Sequence, residues 1–317
     1  METFCTIITS DYLPKALVLY KSLWEYNKNV TLQVLVADNN PVPAISSAFT
    51  GINIIDLNSL SANPLLKRIY EKYAYPYIDH FRWALKPILL SYLIERFNKV
   101  VYVDCDIFFA NNYAFIFNEL DTSPILLTPH WQNINPLSDE SSFVSTFTEG
   151  IFNAGFIGAN KNSVEALNWW AQACHFKMGT FHNIGIQDDQ KYLDIFPVFF
   201  ENTKILRHKG CNVAAWNTQE CKRTLVNGNV LINKEFPIIF IHFNDMLIKQ
   251  VLKGHDPLLA PFLNNYKKMF EIEGFSLFSY TEGINYYLNS SALTQLKWKL
   301  RVRSRIKSFF YRLAERI

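Results

Sequence analysis

Along this chain, short apolar runs alternate with longer segments whose apolar positions recur every three to four residues. Residues 4–9, 32–37, 52–57 and 100–103 are the short runs and read as strands. Between them, Ala16, Leu17, Leu19, Tyr20, Leu23 and Trp24 follow helical spacing behind Pro14, a residue suited to a first helical turn. Residues 80–97 carry Phe81, Leu85, Ile88, Leu89, Tyr92 and Phe97 on one side and predict a longer helix. Strands that alternate with helices build βαβ units around a largely parallel sheet. The later pattern is less regular: 125–128, 152–158 and 237–242 read as strands, 164–176 as a helix and 188–195 as a short helix. From residue 257 only helical and loop patterns occur, and no internal repeat or low-complexity linker is visible. The expected architecture is an α/β domain over 1–255, with an open, mixed, mostly parallel Rossmann-like sheet and flanking helices, followed by a helical extension over 256–317.

The strand at 100–103 ends in Asp104-Cys105-Asp106. Side chains alternate along a strand, so carboxylates two apart point the same way. They repel unless something positive lies between them. A hard divalent ion held by oxygen ligands meets that need, and Mg²⁺ or Mn²⁺ typically brings substrate phosphates with it. Two solvated carboxylates at a strand end are the simpler alternative. Open α/β sheets bind ligands at the carboxyl ends of their strands. Asp11 and Asp38 end the first two strands, where capping or turn formation would equally explain them. Arg82 and Lys86 stand at i and i+4, hence on one helix face, either solvated or turned to an anion. His242 closes an apolar run, the usual place for a core histidine bonded to backbone. Gly155 permits close backbone approach to a ligand or marks a bulge.

Composition narrows the classes. The 317 residues include 26 Phe, 16 Tyr and 7 Trp, enough for a large core and for sugar-stacking or membrane-facing surfaces. Five scattered cysteines without C-x-x-C spacing read as reduced, mostly buried thiols and not as a disulfide or zinc framework. Neither a signal peptide nor an apolar window long enough to span a bilayer is visible, so a cytoplasmic location is expected. The net charge of +3 hides an asymmetry: eight Lys and Arg against Glu315 give residues 297–317 a charge of +7 and leave the body at −4. Trp298, Val302, Ile306, Phe309, Leu313 and Ile317 recur at helical spacing among these bases. That is the pattern of an interfacial amphipathic helix, and the tail is expected to lie peripherally on an anionic membrane surface at the inner face. A helix packed on the body with its charges in water is the alternative; nucleic acid is not an expected partner.

Several segments, in order from about residue 3 to 245, resemble glycosyltransferases of the GT-A fold, most nearly the retaining group of glycogenin and the bacterial lipopolysaccharide galactosyl- and glucosyltransferases (family 8). They are TIITSDYLPKALVLYKSL, RWALKPILL with VVYVDCDIFF, FNAGFIGAN, GIQDDQKYLD, CNVAAWN and IIFIHF. The resemblance implies that Asp104, Asp106 and His242 bind Mn²⁺ or Mg²⁺, which bridges the diphosphate of a UDP-sugar donor. It implies that Asp11 and Asp38 reach the uridine and that Arg82 and Lys86 hold phosphate or sugar. Asn153, Ala154 and Gly155 would approach the donor sugar, with Asn217 of the CNVAAWN segment nearby. Asp189, or its neighbour Asp188, would contact the sugar, and Gln190 would lie beneath the anomeric carbon. The implied reaction is metal-dependent hexosyl transfer, with retention, to a glycan or lipid-linked acceptor in bacterial surface polysaccharide or lipopolysaccharide synthesis. The chain departs from the family's H-x-x-G-x-x-K-P-W. It reads HFNDMLIKQVLKG, with Asp245 in the glycine's place and Lys249 one position late, so phosphate contact by Lys249 stays open. Two other classes share features. Haloacid-dehalogenase-type phosphatases also carry D-x-D after an apolar strand, but want Thr or Val where Phe108 stands. A non-catalytic sugar- or lipid-binding protein on a transferase fold would have no need of Asp104, Asp106, Gln190 and His242 together.

Overall fold

The computed structural model describes residues 1–38, 40–42, 44–47, 49–181, 185–272 and Leu277. The chain divides into two compact units, Met1–Met269 and Phe270–Ile317. The first is described here; the basic segment 297–317 lies outside the described residues. In chain order the strands are β1 (Glu2–Ile8), β2 (Leu32–Val36), β3 (Ile52–Asp56), β4 (Lys99–Val103), β5 (Ile107–Phe109), β6 (Ile125–Pro129), β7 (Phe152–Asn160), β8 (Thr180–Phe181), β9 (Ile186–Gln187), β10 (Lys204–Ile205), β11 (Arg223–Val226), β12 (Asn229–Ile232), β13 (Phe236–Pro237) and β14 (Phe240–His242). The helices are α1 (Leu13–Trp24), α2 (Pro64–Tyr73), α3 (Ile78–Ala84), α4 (Lys86–Ile94), α5 (Ala114–Glu119), α6 (Glu140–Thr148), α7 (Val164–Phe176), α8 (Phe196–Phe199), α9 (Asp245–Leu252) and α10 (Ala260–Ile272).

The central sheet has seven strands in the order β10-β6-β7-β4-β1-β2-β3. β3, β2, β1 and β4 are parallel, and β7 runs antiparallel between β4 and β6. Both faces are covered, which is why these strands read as continuous apolar runs. On β1, Cys5 and Ile7 enter the core formed with α2, α3, α4 and α7, while Phe4 and Ile8 enter the one formed with α1, α5, β5 and β14. All five cysteines are buried and unpaired. Tyr266 stacks on Phe243 at 4.8 Å and meets Phe108 edge-on at 5.6 Å, so the middle of α10 braces the β5–β14 ribbon.

Three elements differ from the sequence reading. The helix expected over 80–97 is two helices, α3 and α4, because Pro87 in the first turn of α4 has no N–H to carry the ladder through. The strand expected over 237–242 is split between β13 and β14, which belong to different small sheets. The short helix at 188–195 is a 3-10 turn over Gln190–Ile195, preceded by Asp188 at φ 46°. The antiparallel β11–β12–β13 meander, with turn residues Asn227 and Gly228 at positive φ, had not been anticipated.

A buried ion pair ties this meander to the segment ahead of α10. Arg223 Nε lies 3.0 Å from Asp256 Oδ2, with side chains only 5% and 8% exposed. The same guanidinium donates to the carbonyls of Ala214 and Cys221, each at 2.6 Å. Asp256→Ala would leave that cation buried without its acid. Denaturant unfolding should show a loss of about 3–5 kcal/mol.

Candidate active site

Strand pairing assembles the acidic cluster in two halves. β4 and β7 set the first: Val103 pairs with Phe156, so Asp104 follows beside Gly155, whose carbonyl accepts the Asp104 N–H at 2.9 Å. β5 and β14 set the second: His242 pairs with Ile107, next to Asp106, and the Phe243 N–H reaches the Asp106 carbonyl at 2.9 Å. Ligand atoms of Asp104, Asp106 and His242 consequently lie within 4.8 Å of one another. His242 Nε2 is 3.0 Å from Asp106 Oδ1. Its Nδ1 lies 3.3 Å from the Asn153 amide nitrogen, which also donates to Asn212 Oδ1 at 2.9 Å. His242 is therefore not a core histidine bonded to backbone.

Burial opposes charge on both Asp106 and His242, yet each stabilises the other. The Asp106 carboxyl is held well below the usual carboxylate range, and the His242 imidazolium is favoured over its ordinary value. Positive charge is thus stabilised at Asp106. Two carboxylates and an imidazole suit Mn²⁺ or Mg²⁺. Gly155 completes the fit: a Cβ there would meet His242 Cε1 at 2.8 Å and Asp104 Oδ2 and Asn153 Oδ1 at 2.9 Å. Only glycine lets β7 pass so close to all three side chains.

Lys86 is the second organising charge. It is 3% exposed, 3.0 Å from Asp189 Oδ2 and 3.6 Å from Asp104 Oδ1, and donates to the Ala154 carbonyl at 3.1 Å. Burial alone would lower its pKa; Asp104 and Asp189 more than offset this, so the ammonium stays charged. Two adjoining cavities flank the cluster. One, of about 370 Å³, is lined by Tyr12, Lys15, Arg82, Tyr102, Asp106 and Asp245 among others. The other, of about 220 Å³, is lined by Lys86, His130, Asn153, Gly155, Asp188, Asp189, Gln190, Trp216 and His242 among others. Trp83, Asp104 and Asn244 line both. A larger cavity of about 520 Å³, near Asp121, Asn160 and Phe199, contains none of the residues singled out in the sequence.

The sequence candidates are brought together unequally. Asp104, Asp106, His242, Lys86, Asn153, Gly155, Asp188, Asp189 and Gln190 converge. Arg82, on α3, lines the larger of the two adjoining cavities and Lys86, on α4, the smaller, and both lie in the field of Asp104. Asp11 and Asp38 stand at the ends of β1 and β2, but neither lines these two cavities. Asp38 accepts from the Ser10 N–H and hydroxyl and from the Asn40 amide, which stitches the two strand ends together. Burial raises its carboxyl pKa, and these hydrogen bonds bring it below the ordinary value. Asn217 is buried behind Trp216 and donates to the carbonyls of His130 and Asn212. Lys249 lies in the last turn of α9 and lines neither cavity.

Sequence reasoning had passed over Lys15, Trp83, His130 and Trp216. Trp216 stands edge-on to both His130 and His242, at centroid distances of 5.5 and 5.3 Å. His130, at the end of β6, hydrogen-bonds the Gly150 carbonyl through Nδ1 at 2.9 Å. The Gln190 side chain approaches the same ring and raises its pKa against the larger effect of burial. A histidine closing an apolar strand was the available signal in Pro129-His130-Trp131, the same signal that marked His242.

Comparison with known proteins agrees with this architecture. No protein-family model matches the chain. It is 28% identical over 252 residues to the uncharacterized protein YfnD of Bacillus subtilis (strain 168), spanning 76% of each chain. It is 24% identical over 256 residues to the uncharacterized protein YfnF of the same strain, spanning 79% of this chain and 83% of that one. Among solved structures, mouse xyloside xylosyltransferase 1 in its apo form superposes with a TM-score of 0.52 at 12% identity, over 77% of this chain and 98% of that one. The protein has the GT-A glycosyltransferase fold, with a mixed, mostly parallel seven-stranded sheet. An Asp-Asp-His cluster that could hold a divalent cation lies at its strand ends.

Two outcomes follow from this geometry. Gly155→Ala forces a carbon into the cluster, so Mn²⁺ affinity measured by calorimetry should fall at least tenfold, with about 1–3 kcal/mol of stability lost to overpacking. The second concerns His130, whose pKa burial lowers from 6.5 to about 4. A folded value below the unfolded one stabilises the fold fully above pH 6.5, and the gain is lost as the pH falls toward 4. Metal-free stability in urea should decline across that window, more steeply for the wild type than for His130→Gln.

Proposed function

We propose that the protein is a metal-dependent glycosyltransferase that moves a hexose from a UDP-sugar to a glycan or lipid-linked acceptor, with retention, in bacterial surface polysaccharide synthesis. The observation that carries this reading is the position of the Asp104–Asp106–His242 cluster between two cavities, with Lys86, Asp189 and Gln190 across the smaller one. The larger cavity would seat the nucleotide diphosphate and the smaller the sugar. A divalent cation bound to the cluster would supply Lewis acidity for the departing diphosphate.

The chain's own groups account for the rest. Lys86 holds Asp104 and Asp189 at fixed positions, so the carboxylates need not reorganise as charge develops. Arg82 places a guanidinium in the diphosphate cavity. Asp189 would take a sugar hydroxyl. Gln190, which lines the smaller cavity with His130, would turn a carbonyl dipole toward the sugar as it gains oxocarbenium character. A neutral carboxamide there suits attack by the acceptor hydroxyl from the face the diphosphate leaves. The amphipathic segment at 297–317 would bring the enzyme to an anionic membrane carrying a lipid-linked acceptor. The phosphatase alternative needs a different scaffold from the GT-A fold.

A screen of UDP-sugars for Mn²⁺-dependent UDP release, with mass spectrometry of the product, tests the proposal. Asp104→Asn or Asp106→Asn should lower turnover roughly a hundredfold or more. Gln190→Ala should lower kcat while UDP affinity stays at the wild-type value, because its interaction strengthens only as the sugar becomes cationic. Full activity in excess chelator, or hydrolysis of simple phosphomonoesters in place of sugar transfer, would overturn the reading.

A further inference from the structure

The larger of the two cavities contains a cation that neither helix stability nor ion pairing explains. Lys15 lies in the first turn of α1, where the aligned peptide dipoles already present positive charge. It is 8% exposed, and lysine is almost never so buried without a partner. Asp104 and Asp106 line the same cavity but face Lys86 and His242, at 3.6 and 3.0 Å. Among the described residues, no carboxylate comes within ion-pair distance of the Lys15 ammonium. The ammonium stands 4.8 Å from the centroid of the Tyr12 ring, which the Arg82 guanidinium also approaches at 5.0 Å. Arg82 has an acid of its own, Asp79 at 2.9 Å. Burial pulls the Lys15 pKa down, and the combined fields of Asp106, Cys105, Tyr12 and Asp245 more than restore it, so the side chain remains a cation.

Helix, burial and missing ion pair all disfavour a charge at this position. Methionine or leucine there would pack against the neighbouring apolar residues of α1 without that cost. The same cavity holds three carboxylates, Asp104, Asp106 and Asp245, against Lys15 and Arg82. A divalent cation on the first two would turn the local formal charge from one negative to one positive. An anion is then required, and Lys15 is the buried group with no other acid to meet.

We propose that Lys15 is a phosphate-binding residue whose ammonium takes an oxygen of a pyrophosphate group, as in a nucleoside diphosphate, seated beside Asp104 and Asp106. This rests on the nucleotide-sugar reading above and deepens it. Phosphate contact moves from the segment after His242, where the sequence departs from the expected pattern, to the start of α1. The lysine of that later segment, Lys249, lies outside the cavity lining.

Calorimetric titration of the full chain with UDP, uridine and inorganic pyrophosphate, each with Mn²⁺ present, tests the assignment. Lys15→Met should weaken UDP and pyrophosphate binding roughly ten- to a hundredfold, the usual range for one charge-assisted contact, and leave uridine binding unchanged. Lys15→Arg should recover most of the loss. Without ligands, Lys15→Met should still unfold in one cooperative step, while its gain in Tm on adding Mn²⁺ and pyrophosphate should shrink. An unchanged UDP affinity in Lys15→Met, or an equal loss for UDP and uridine, would overturn the role of Lys15 alone. A wild-type protein that binds neither UDP nor pyrophosphate would overturn the nucleotide-sugar reading and this inference together.

Discussion

Three carboxylates crowd one end of the sheet, and the cost of holding them there governs the rest of the site. Asp104, Asp106 and Asp189 are each partly or fully withdrawn from water. Charges so placed are tolerated only when paired and hydrogen-bonded. Lys86 satisfies two of them at once and His242 the third. Both cations come from elements whose positions are fixed independently, α4 by its packing on β4 and β14 by its pairing with β5. Electrostatic balance and fold are therefore one problem here: displacing either element strands a buried acid.

Backbone, more than side chains, sets the precision of this arrangement. Asp104 is fixed by the carbonyl of Gly155, Asp106 by the N–H of Phe243 and Lys86 by the carbonyl of Ala154. Each of these contacts is a by-product of strand pairing. The antiparallel insertion of β7 beside β4 is the decisive one, since it lays the Asn153-Ala154-Gly155 segment across the carboxyl end of a parallel strand. A glycine at the crossing leaves room for the imidazole that arrives from β14.

The site then divides its labour between two cavities that share Trp83, Asp104 and Asn244. One sets Lys15 and Arg82, about the Tyr12 ring, against the carboxylates of Asp104, Asp106 and Asp245. The other is built of neutral and paired groups, with His130, Trp216 and His242 in edge-on succession and Gln190 held at the side. Such a division suits a donor that carries its negative charge at one end and develops positive charge at the other.

The sequence by itself determined the layered α/β plan and the acidic strand end. Apolar runs and helical spacing are local signals that report which faces are buried, and they located β1, β2, β4 and α7 nearly to the residue. Asp104 and Asp106 were legible as paired acids closing an apolar strand, although it is the turn between β4 and β5, and not alternation along a strand, that brings them together. Ordered resemblance of several segments brought in His242, Asp189 and Gln190. What the sequence left undecided was which charge faces which. Arg82 and Lys86 have ideal helical spacing, and only the structure shows that they line adjoining cavities on either side of Asp104. Asp38 reads as a ligand residue from its place after a strand, and only the structure shows that its carboxylate ties two strand ends together. Lys15 carries no motif, and His130 offers only its place after an apolar run. The reason is physical: the fate of a polar side chain depends on what stands opposite it, and that is set by pairing between strands remote in sequence, which periodicity along one segment cannot encode.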